Sequence, residues 1–303
     1  MIEGVVNLLK PPGMTSSDAV TDIRKLFGTR RVGHAGTLDP GAAGVLPVCV
    51  GRATRLFDYL VDKQKEYIAE VCFGVSTDTQ DSYGRVLARA ESSVSADGLR
   101  AVLPAFTGGI DQVAPMYSAV RVGGKKLYQL ARQGAEAVEI HREVEVYSLE
   151  LIGRTGENRF LLKMACSKGT YVRSVCADLG TALGAPAHMS FLLRTRAGRF
   201  AIEDAYTFAE LSAMKAQGRL EEAVISIENA LAALPEARLA LPEHQKRLLV
   251  NGAEIAPGGL SPHPAGSALR VYANGEFLGV GLAREGKLRI RLNLAAGGEG
   301  EDA

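Results

Sequence analysis

Apolar and polar positions along the chain follow two periods, one typical of strands and one typical of helices. The first apolar run, residues 4–9, predicts a short strand that a Pro-Pro-Gly segment ends. Thr15 and Asp18 then form a variant of the capping box, which predicts a helix over residues 17–27 with its apolar side chains on one face. The chain therefore opens with a strand and a capped helix.

The same two periods predict further elements through the middle of the chain. Residues 65–74 alternate as a strand. Residues 44–51 are a continuous apolar run that favours a buried strand, with a buried helical turn as the alternative. Residues 76–85 are polar and are interpreted as a turn region with few core positions. Further strands are predicted over residues 117–122, 138–152, 159–166 and 189–195, and helices over residues 53–61, 95–106, 125–133, 172–183, 205–216 and 220–234.

The last quarter of the chain is predicted to form a separate small β domain. Residues 235–241 are interpreted as a linker, and a helix is expected over residues 243–251. The dipeptide Asn274-Gly275 is a strong hairpin signal between two predicted strands. Those strands cover residues 268–273, 276–283 and 287–294. The predicted units are residues 1–234, residues 235–295, and a Gly- and acid-rich tail at 296–303 that is expected to be disordered.

Composition narrows the class of protein without identifying it. The chain of 303 residues has no apolar run long enough to cross a membrane, and its first residues do not resemble a signal peptide, so a cytoplasmic location is expected. The four cysteines show no Cys-x-x-Cys pairing, which argues against a zinc site or a disulfide framework.

Charge is unevenly distributed although the net charge is only +1. Residues 159–199 contain seven Lys or Arg and one acid, whereas residues 201–236 contain two Lys or Arg and seven acids. This asymmetry favours a basic face for a phosphate backbone, although solvated charge runs are the ordinary alternative.

The segment from residue 30 to residue 55 carries the candidate chemistry. It has a single acid, Asp39, in a glycine-rich loop between basic residues, and Pro40 disfavours a helical conformation at Asp39. These features suggest a site where one carboxylate acts on a phosphate-bearing substrate. The loop has neither the Gly-Lys-Ser/Thr of a Walker motif nor dinucleotide-binding spacing, and from the loop alone a plain turn is the commoner explanation.

Four stretches resemble, in the same order, motifs of the TruB-type bacterial tRNA pseudouridine-55 synthases. They are KPPGMTSSDAV at residues 10–20, GHAGTLDPGAAGVLPV at 33–48, PMYSAVRVGGKKLYQLARQG at 115–134 and CSKGTYVRSVCADLG at 166–180. The similarity spans roughly residues 4–232 and continues weakly beyond them.

The resemblance implies an α/β (α+β) pseudouridine synthase fold. Its central sheet should be mixed and largely antiparallel, and a PUA-like β-barrel should follow. It also implies an enzyme without cofactor or metal that acts on the tRNA T stem-loop, with no guide RNA and no membrane, as a monomer. The block at residues 115–134 matches the insertion that closes on the RNA stem-loop, although any surface hairpin has similar features.

The resemblance also assigns roles to individual residues. Asp39 is the catalytic carboxylate, Arg173 its partner, and Tyr67 the residue that stacks on the flipped uracil and helps to move the C5 proton. Tyr171 and Leu192 would line the pocket, His34 would contact RNA, and Lys10 would support the site or contact RNA. Phosphate contacts are expected from Arg30, Arg31, Lys125, Lys126, Arg132, Arg194 and Arg196.

Two other functions fit the sequence. One is a tRNA-binding or folding factor in which catalysis is secondary, and the other is a guide-RNA-dependent synthase of the related archaeal and eukaryotic branch. The sequence also leaves open whether Asp39 attacks C1′, attacks C6 or assists a glycal route.

Overall fold

A mixed β-sheet forms the centre of the fold. The computed structural model describes residues 2–61, 64–118, 120–133 and 139–295, without the side chains of Lys126 and Arg132. The strands up to residue 225 are β1 (Gly4–Lys10), β2 (Val32–His34), β3 (Ala43–Val50), β4 (Lys65–Phe73), β5 (Val75–Thr77), β6 (Val86–Arg89), β7 (Gly108–Val113), β8 (Arg121–Val122), β9 (Lys125–Lys126), β10 (His141–Gly156), β11 (Arg159–Cys166), β12 (Ala187–Ala197), β13 (Phe200–Ala201) and β14 (Val224–Ile225).

Ten of these strands form one sheet within the described residues. Its order is β14-β1-β3-β12-β4-β11-β10-β7, with β2 beside β3 and β13 beside β12. The pairing of β12 with β3 is parallel, whereas the other pairings are antiparallel. The predicted mixed, largely antiparallel sheet is therefore confirmed. Strands β5 with β6 and β8 with β9 form two small hairpins outside it.

Helices pack against this sheet and enclose the main hydrophobic core. Ile23 and Leu179, on two different helices, are fully buried together with Leu46 and Leu162 of the sheet. The α-helices are α1 (Ser16–Phe27), α2 (Phe57–Val61), α3 (Ala96–Val102), α4 (Leu127–Arg132), α5 (Val172–Ala182), α6 (Phe208–Ala216), α7 (Ile227–Ala230) and α8 (Glu243–Val250). Short 3₁₀ helices cover Gly51–Leu56, Leu103–Phe106, Ile202–Asp204 and Leu220–Ala223.

Four of the predicted segments take a different form in the structure. Residues 220–234 do not form one helix, because Val224 and Ile225 pair with β1 at the sheet edge and Ser226 then caps the short α7. The predicted strand at 117–122 contains only β8, and the predicted helix at 125–133 begins as strand β9 before α4. Residues 235–241 are not a free linker, since they contain a strand of the C-terminal sheet.

That C-terminal sheet is open, so the predicted barrel is wrong for the described residues. Its strands are β15 (Glu236–Leu239), β16 (Ser267–Ala273), β17 (Glu276–Arg284) and β18 (Lys287–Asn293), paired in that order. Strands β15 and β18 do not pair with each other, and closure requires that pairing. Asn274 and Gly275 both have positive φ, at 53° and 87°, as the predicted hairpin requires.

The C-terminal sheet packs against the central sheet through a shared hydrophobic cluster. Val280 and Leu292 lie in one cluster with Val5, Val45 and Leu56. On the same side, Arg52 and Arg55 donate hydrogen bonds to backbone carbonyls of residues 293–295. The division of the chain at residue 234 stays a prediction, and the predicted disordered tail at 296–303 lies outside the described residues.

The capping box that the sequence predicts is present at the start of α1. Thr15 Oγ1 accepts the backbone N–H of Asp18 at 3.0 Å, and Asp18 Oδ2 accepts the backbone N–H of Thr15 at 2.9 Å. Two otherwise unpaired N–H groups are thereby satisfied, and the helix starts at a defined residue.

We expect Thr15→Ala to lower the free energy of unfolding by about 1 kcal/mol, because both side-chain bonds of Thr15 are lost. Urea denaturation followed by circular dichroism measures the change. Thr21→Ala is the matched control, since Thr21 is an exposed threonine in the same helix. It should shift stability by less than about 0.5 kcal/mol. Equal losses of unfolding free energy in the two variants would show that the capping bonds of Thr15 add no stability of their own.

Candidate active site

Asp39 lies in the loop that joins β2 to β3, and the neighbouring residues hold that loop at several points. Ser16, at the start of α1, accepts the N–H of Leu38 at 2.9 Å and donates to its carbonyl at 3.0 Å. On the other side of Asp39, Gly13 N–H donates to the carbonyl of Pro40 at 2.9 Å. Hydrogen bonds to the residues directly before and after Asp39 therefore hold its backbone in place.

Lys10 also supports the loop that carries Asp39. Its side chain is fully buried, and Nζ donates to the carbonyls of Pro11 and Met14 at 2.8 Å and of Pro40 at 3.4 Å. Burial lowers the pKa of Lys10 to about 8, while nearby Asp39 acts in the opposite direction. Of the two predicted roles for Lys10, this position favours support of the site, because no part of its side chain is accessible to RNA.

Arg194 also belongs to the interior, which corrects its predicted role as a phosphate contact. Its side chain is 1% exposed, and its guanidinium donates to the carbonyls of Val45, Thr37 and Gly36 at 2.7, 3.3 and 3.0 Å. A group with three internal partners and no accessible surface cannot reach a phosphate. The backbones of Gly44 and Arg194 also lie close together, and only glycine fits at residue 44. Its φ is +116°, and a Cβ there would lie 2.2 Å from the carbonyl oxygen of Arg194.

The predicted partner of Asp39 is in place. Arg173 Nε lies 3.0 Å from Asp39 Oδ2, and the Arg173 side chain is only 5% exposed. Its other nitrogens donate to the carbonyls of Thr79 at 2.9 Å and Tyr117 at 3.1 Å, and Nη1 lies 3.8 Å from Asp81 Oδ2. Every nitrogen of the guanidinium has a partner, so its orientation toward Asp39 is fixed.

The N-terminal end of α5 positions Arg173. Tyr171, the residue before the helix, donates its N–H to Gln112 Oε1 at 2.7 Å and accepts from Gln112 Nε2 at 3.0 Å. Gln112 is 2% exposed and lies on β7. Ser174, the residue after Arg173, donates to Gln80 Oε1 at 2.9 Å. The edge of the central sheet and the segment after β5 thus both hold this end of the helix.

Sequence reasoning missed the contributions of Thr79, Gln80, Asp81 and Gln112. The first three belong to the polar stretch that the sequence suggests is only a turn region. Gln80 has a φ of 62°, a conformation that is uncommon for residues other than glycine. The dense polar sequence at residues 76–85 is the one signal that could have indicated a site.

Burial and nearby charges act against each other at Asp39. Burial raises the pKa of Asp39 above its ordinary value, and the Asp81 carboxylate raises it further. Arg173 and Lys10 act in the opposite direction, with Arg173 the stronger of the two. The Asp39 side chain remains 39% exposed, so a substrate can reach it. The two cations therefore offset part of the rise in pKa that burial and Asp81 cause, and so favour the ionised carboxylate.

Tyr67 projects from β4 beside the buried Arg194. It is 9% exposed, and its backbone pairs with Arg194 of β12 and Met164 of β11. Burial raises the pKa of the Tyr67 hydroxyl, and Arg194 opposes that change. The phenol therefore stays protonated at neutral pH and can donate a hydrogen bond. Leu192 lies on the same face of β12 as Arg194, is 6% exposed and belongs to the main core.

His34 lies on β2, at the start of the loop that carries Asp39. Its backbone pairs with Val48 of β3, and its Nδ1 is buried without a hydrogen-bond partner in the described residues. Burial lowers the pKa of His34, and Arg194 lowers it further. A neutral imidazole with an unpaired ring nitrogen can form one further hydrogen bond with a ligand.

The remaining predicted phosphate contacts differ in accessibility. Arg30, Arg31 and Lys125 are exposed, and Arg196 is half-buried with its Nε 3.3 Å from Glu66 Oε1. Lys126 and Arg132 have side chains outside the described part of the chain. Arg30 and Arg31 lie directly before β2 and Lys125 lies on the β8–β9 hairpin, so these exposed cations come from two different segments.

The described residues contain no group of three or more His, Cys, Asp or Glu side chains that could hold a metal ion. The four cysteines are buried free thiols, and burial raises the pKa of Cys49 and of Cys176 to about 12. In the described ranges, no helix has both the length and the apolar character needed to cross a membrane.

Two family models match consecutive parts of the chain. The model described as "TruB family pseudouridylate synthase (N terminal domain)" covers residues 24–172. The model described as "tRNA pseudouridylate synthase B C-terminal domain" covers residues 173–232. Together they match more than half of the chain.

Solved structures show the same fold. A crystal structure of a Cbf5-Nop10-Gar1 complex matches with a TM-score of 0.72 and 28% identity, covering 93% of this chain and 78% of that chain. A structure of an H/ACA RNP bound to a substrate RNA matches with a TM-score of 0.70 and 28% identity, with the same two shares covered.

Curated relatives cover most of the chain. The tRNA pseudouridine synthase B of Caldanaerobacter subterraneus subsp. tengcongensis is 42% identical over 290 residues, which is 95% of this chain and 98% of the relative. The protein of the same name from Pelotomaculum thermopropionicum is 50% identical over 232 residues, covering 75% of this chain and 73% of the relative. The chain therefore belongs to the TruB family of pseudouridylate synthases.

Proposed function

We propose that this protein converts the uridine at position 55 in the T-loop of tRNA to pseudouridine, with Asp39 as the catalytic carboxylate. The observation that carries the proposal is the ion pair between Asp39 and Arg173, in a loop fixed on both sides. The carboxylate is accessible enough to meet a substrate, and the arginine that partners it is buried.

The reaction begins with extrusion of the target base. A uridine inside a folded loop cannot reach Asp39, so it must leave its stack and enter the site. The C1′–N1 bond then breaks, the uracil turns, and a C5–C1′ bond forms while the proton on C5 is released and N1 gains one. The product is an isomer of the substrate, so no net oxidant, reductant or group donor is consumed, and the proposal requires no cofactor.

Asp39 can act at the sugar or at the base. A carboxylate can attack C1′ as a nucleophile, add to C6 of the uracil, or assist a glycal route. All three routes need the ionised form that Arg173 and Lys10 favour. We propose that Tyr67 stacks on the flipped uracil and that its protonated hydroxyl takes part in moving the C5 proton. Tyr171 completes the pocket from the start of α5.

We further propose that the protein acts alone on tRNA, as a cytoplasmic monomer. Relatives named tRNA pseudouridine synthase B align over as much as 98% of their length. The β8–β9 hairpin and α4, with the exposed Lys125, are the segment that we propose closes on the T stem-loop. Exposed Arg30 and Arg31 add positive charge beside the catalytic loop, so affinity should fall as salt rises.

A second candidate is a guide-dependent synthase. It is favoured by one observation, the TM-scores of 0.70 and 0.72 to structures of an H/ACA RNP and a Cbf5-Nop10-Gar1 complex. Modification of a bare tRNA transcript by the purified protein distinguishes the two candidates, since a guide-dependent enzyme would leave that transcript unchanged.

We expect Asp39→Asn to abolish turnover while tRNA binding stays within about tenfold, because the carboxylate lowers the barrier more than it contributes to affinity. Tritium release from tRNA labelled at uridine C5 measures turnover, and filter binding measures affinity. Asp97→Asn is the control, since Asp97 is 94% exposed and forms an ion pair with Arg100 in the same helix. Turnover retained by Asp39→Asn would remove Asp39 from the chemistry.

Arg173 should also determine the acid limb of the pH–rate profile. Arg173 lowers the pKa of Asp39, so Arg173→Gln should raise that pKa and move the acid limb of kcat/KM to higher pH by about 1 to 3 units. Arg173→Lys keeps the charge and should move the limb less, although its rate should still fall because an ammonium cannot make the same fixed contacts.

The control for this prediction is Arg159→Gln, which breaks an ion pair of similar length outside the site. Arg159 Nη1 lies 2.9 Å from Glu70 Oε1 on the central sheet. Its profile should match the wild type. An unchanged acid limb in Arg173→Gln would contradict the account of how Asp39 stays ionised.

A further inference from the structure

Tyr83 is an exposed aromatic residue at the edge of the candidate site. It lies in the turn between β5 and β6, and its backbone N–H donates to Asp81 Oδ1 at 3.0 Å. The other carboxylate oxygen of Asp81 lies 3.8 Å from Arg173 Nη1. The backbone of Tyr83 is therefore held by the same polar cluster that orients the partner of Asp39.

The ring of Tyr83 rests against the catalytic loop. A Cβ built on Gly41 would lie 2.0 Å from Cε2 and 2.7 Å from Cζ of Tyr83, so the ring occupies the space that any side chain at residue 41 would need. Gly41 is two residues after Asp39. Tyr83 therefore packs on the loop that carries Asp39. Its backbone is hydrogen-bonded to Asp81, which also lies close to Arg173.

Most of the Tyr83 surface remains exposed to solvent despite this contact. Tyr83 is 73% exposed, whereas Tyr67, the tyrosine deeper in the site, is 9% exposed. A ring with that exposure contributes little to the hydrophobic core, and burial in a complex would be favourable for its apolar faces. The exposed ring can therefore stack on a flat ligand beside Asp39.

Building on the proposed function, we propose that Tyr83 stacks on a nucleobase adjacent to the flipped uridine. Extrusion of one base from an RNA loop removes a stacking partner from each neighbour. An aromatic side chain at the edge of the site can replace that partner, and stacking of this kind tolerates any base because each has a π face. Tyr83 would then bind and position the substrate without touching the reacting atoms.

The first test is steady-state kinetics on a T stem-loop RNA. Tyr83→Ala should raise KM about tenfold, which corresponds to about 1.4 kcal/mol, while kcat stays within about threefold. Tyr83→Phe and Tyr83→Trp keep an aromatic ring and should stay within about threefold of the wild-type KM. Leu87→Ala is the matched control, because Leu87 lies on β6 of the same hairpin, is 61% exposed, and should have no effect.

Tyr83→Leu separates stacking from packing on Gly41. Leucine retains an apolar contact with the loop but has no aromatic face, so its KM should match that of Tyr83→Ala. A wild-type KM for Tyr83→Leu would mean that the residue only covers Gly41, and would overturn the inference.

Photocrosslinking gives a direct readout. A T stem-loop with 5-iodouridine next to the target should crosslink to Tyr83, as located by mass spectrometry, whereas the same base placed in the stem should not. A crosslink that maps to other residues only, or a KM for Tyr83→Ala within about twofold of the wild type, would overturn the inference.

Wild-type turnover is measured first, since its absence contradicts the proposed function, whereas an active wild type with an unaffected Tyr83→Ala contradicts this inference alone.

Discussion

The site depends on one electrostatic constraint: a carboxylate that is largely surrounded by protein must remain ionised. Burial raises the pKa of Asp39, and nearby Asp81 raises it further. Arg173 opposes both from 3.0 Å, and it can do so because its other nitrogens are held by two backbone carbonyls and by Asp81. Asp81 therefore has two effects, since it orients the arginine and also adds negative charge near Asp39. Loss of the guanidinium would therefore raise the pKa of Asp39 further, because only Arg173 and Lys10 oppose the effects of burial and Asp81.

Much of the fold around Asp39 serves to hold that pair. Residues distant in sequence converge on it. Ser16 and Lys10 hold the loop that carries Asp39, Gln112 holds the start of α5, and Arg194 fills the interior behind the loop. The parallel pairing of β12 with β3 brings Arg194 directly against that loop. A site assembled from separate segments in this way is rigid before substrate arrives, which lowers the cost of reorganisation during the reaction.

The local parts of this structure could be predicted from sequence and the long-range parts could not. The capping box at Thr15, the buried strand at 44–51 and the hairpin at Asn274 each follow from neighbouring residues, and each was confirmed. The partner of Asp39 came from a family resemblance, because no periodicity connects residues 39 and 173. Arg194 is predicted as a phosphate contact, which requires an exposed cation, whereas three carbonyls at the back of the loop compensate for its burial.

The most direct test of the account is to map pseudouridine in a tRNA transcript treated with the purified protein and no other RNA. Carbodiimide modification followed by primer extension locates each pseudouridine by the position at which the extension stops. The account predicts one new stop, at position 55, because an intact site on a stand-alone chain should recognise and isomerise the T-loop uridine. A stop at another uridine, or modification only after a guide RNA and partner proteins are added, would contradict it.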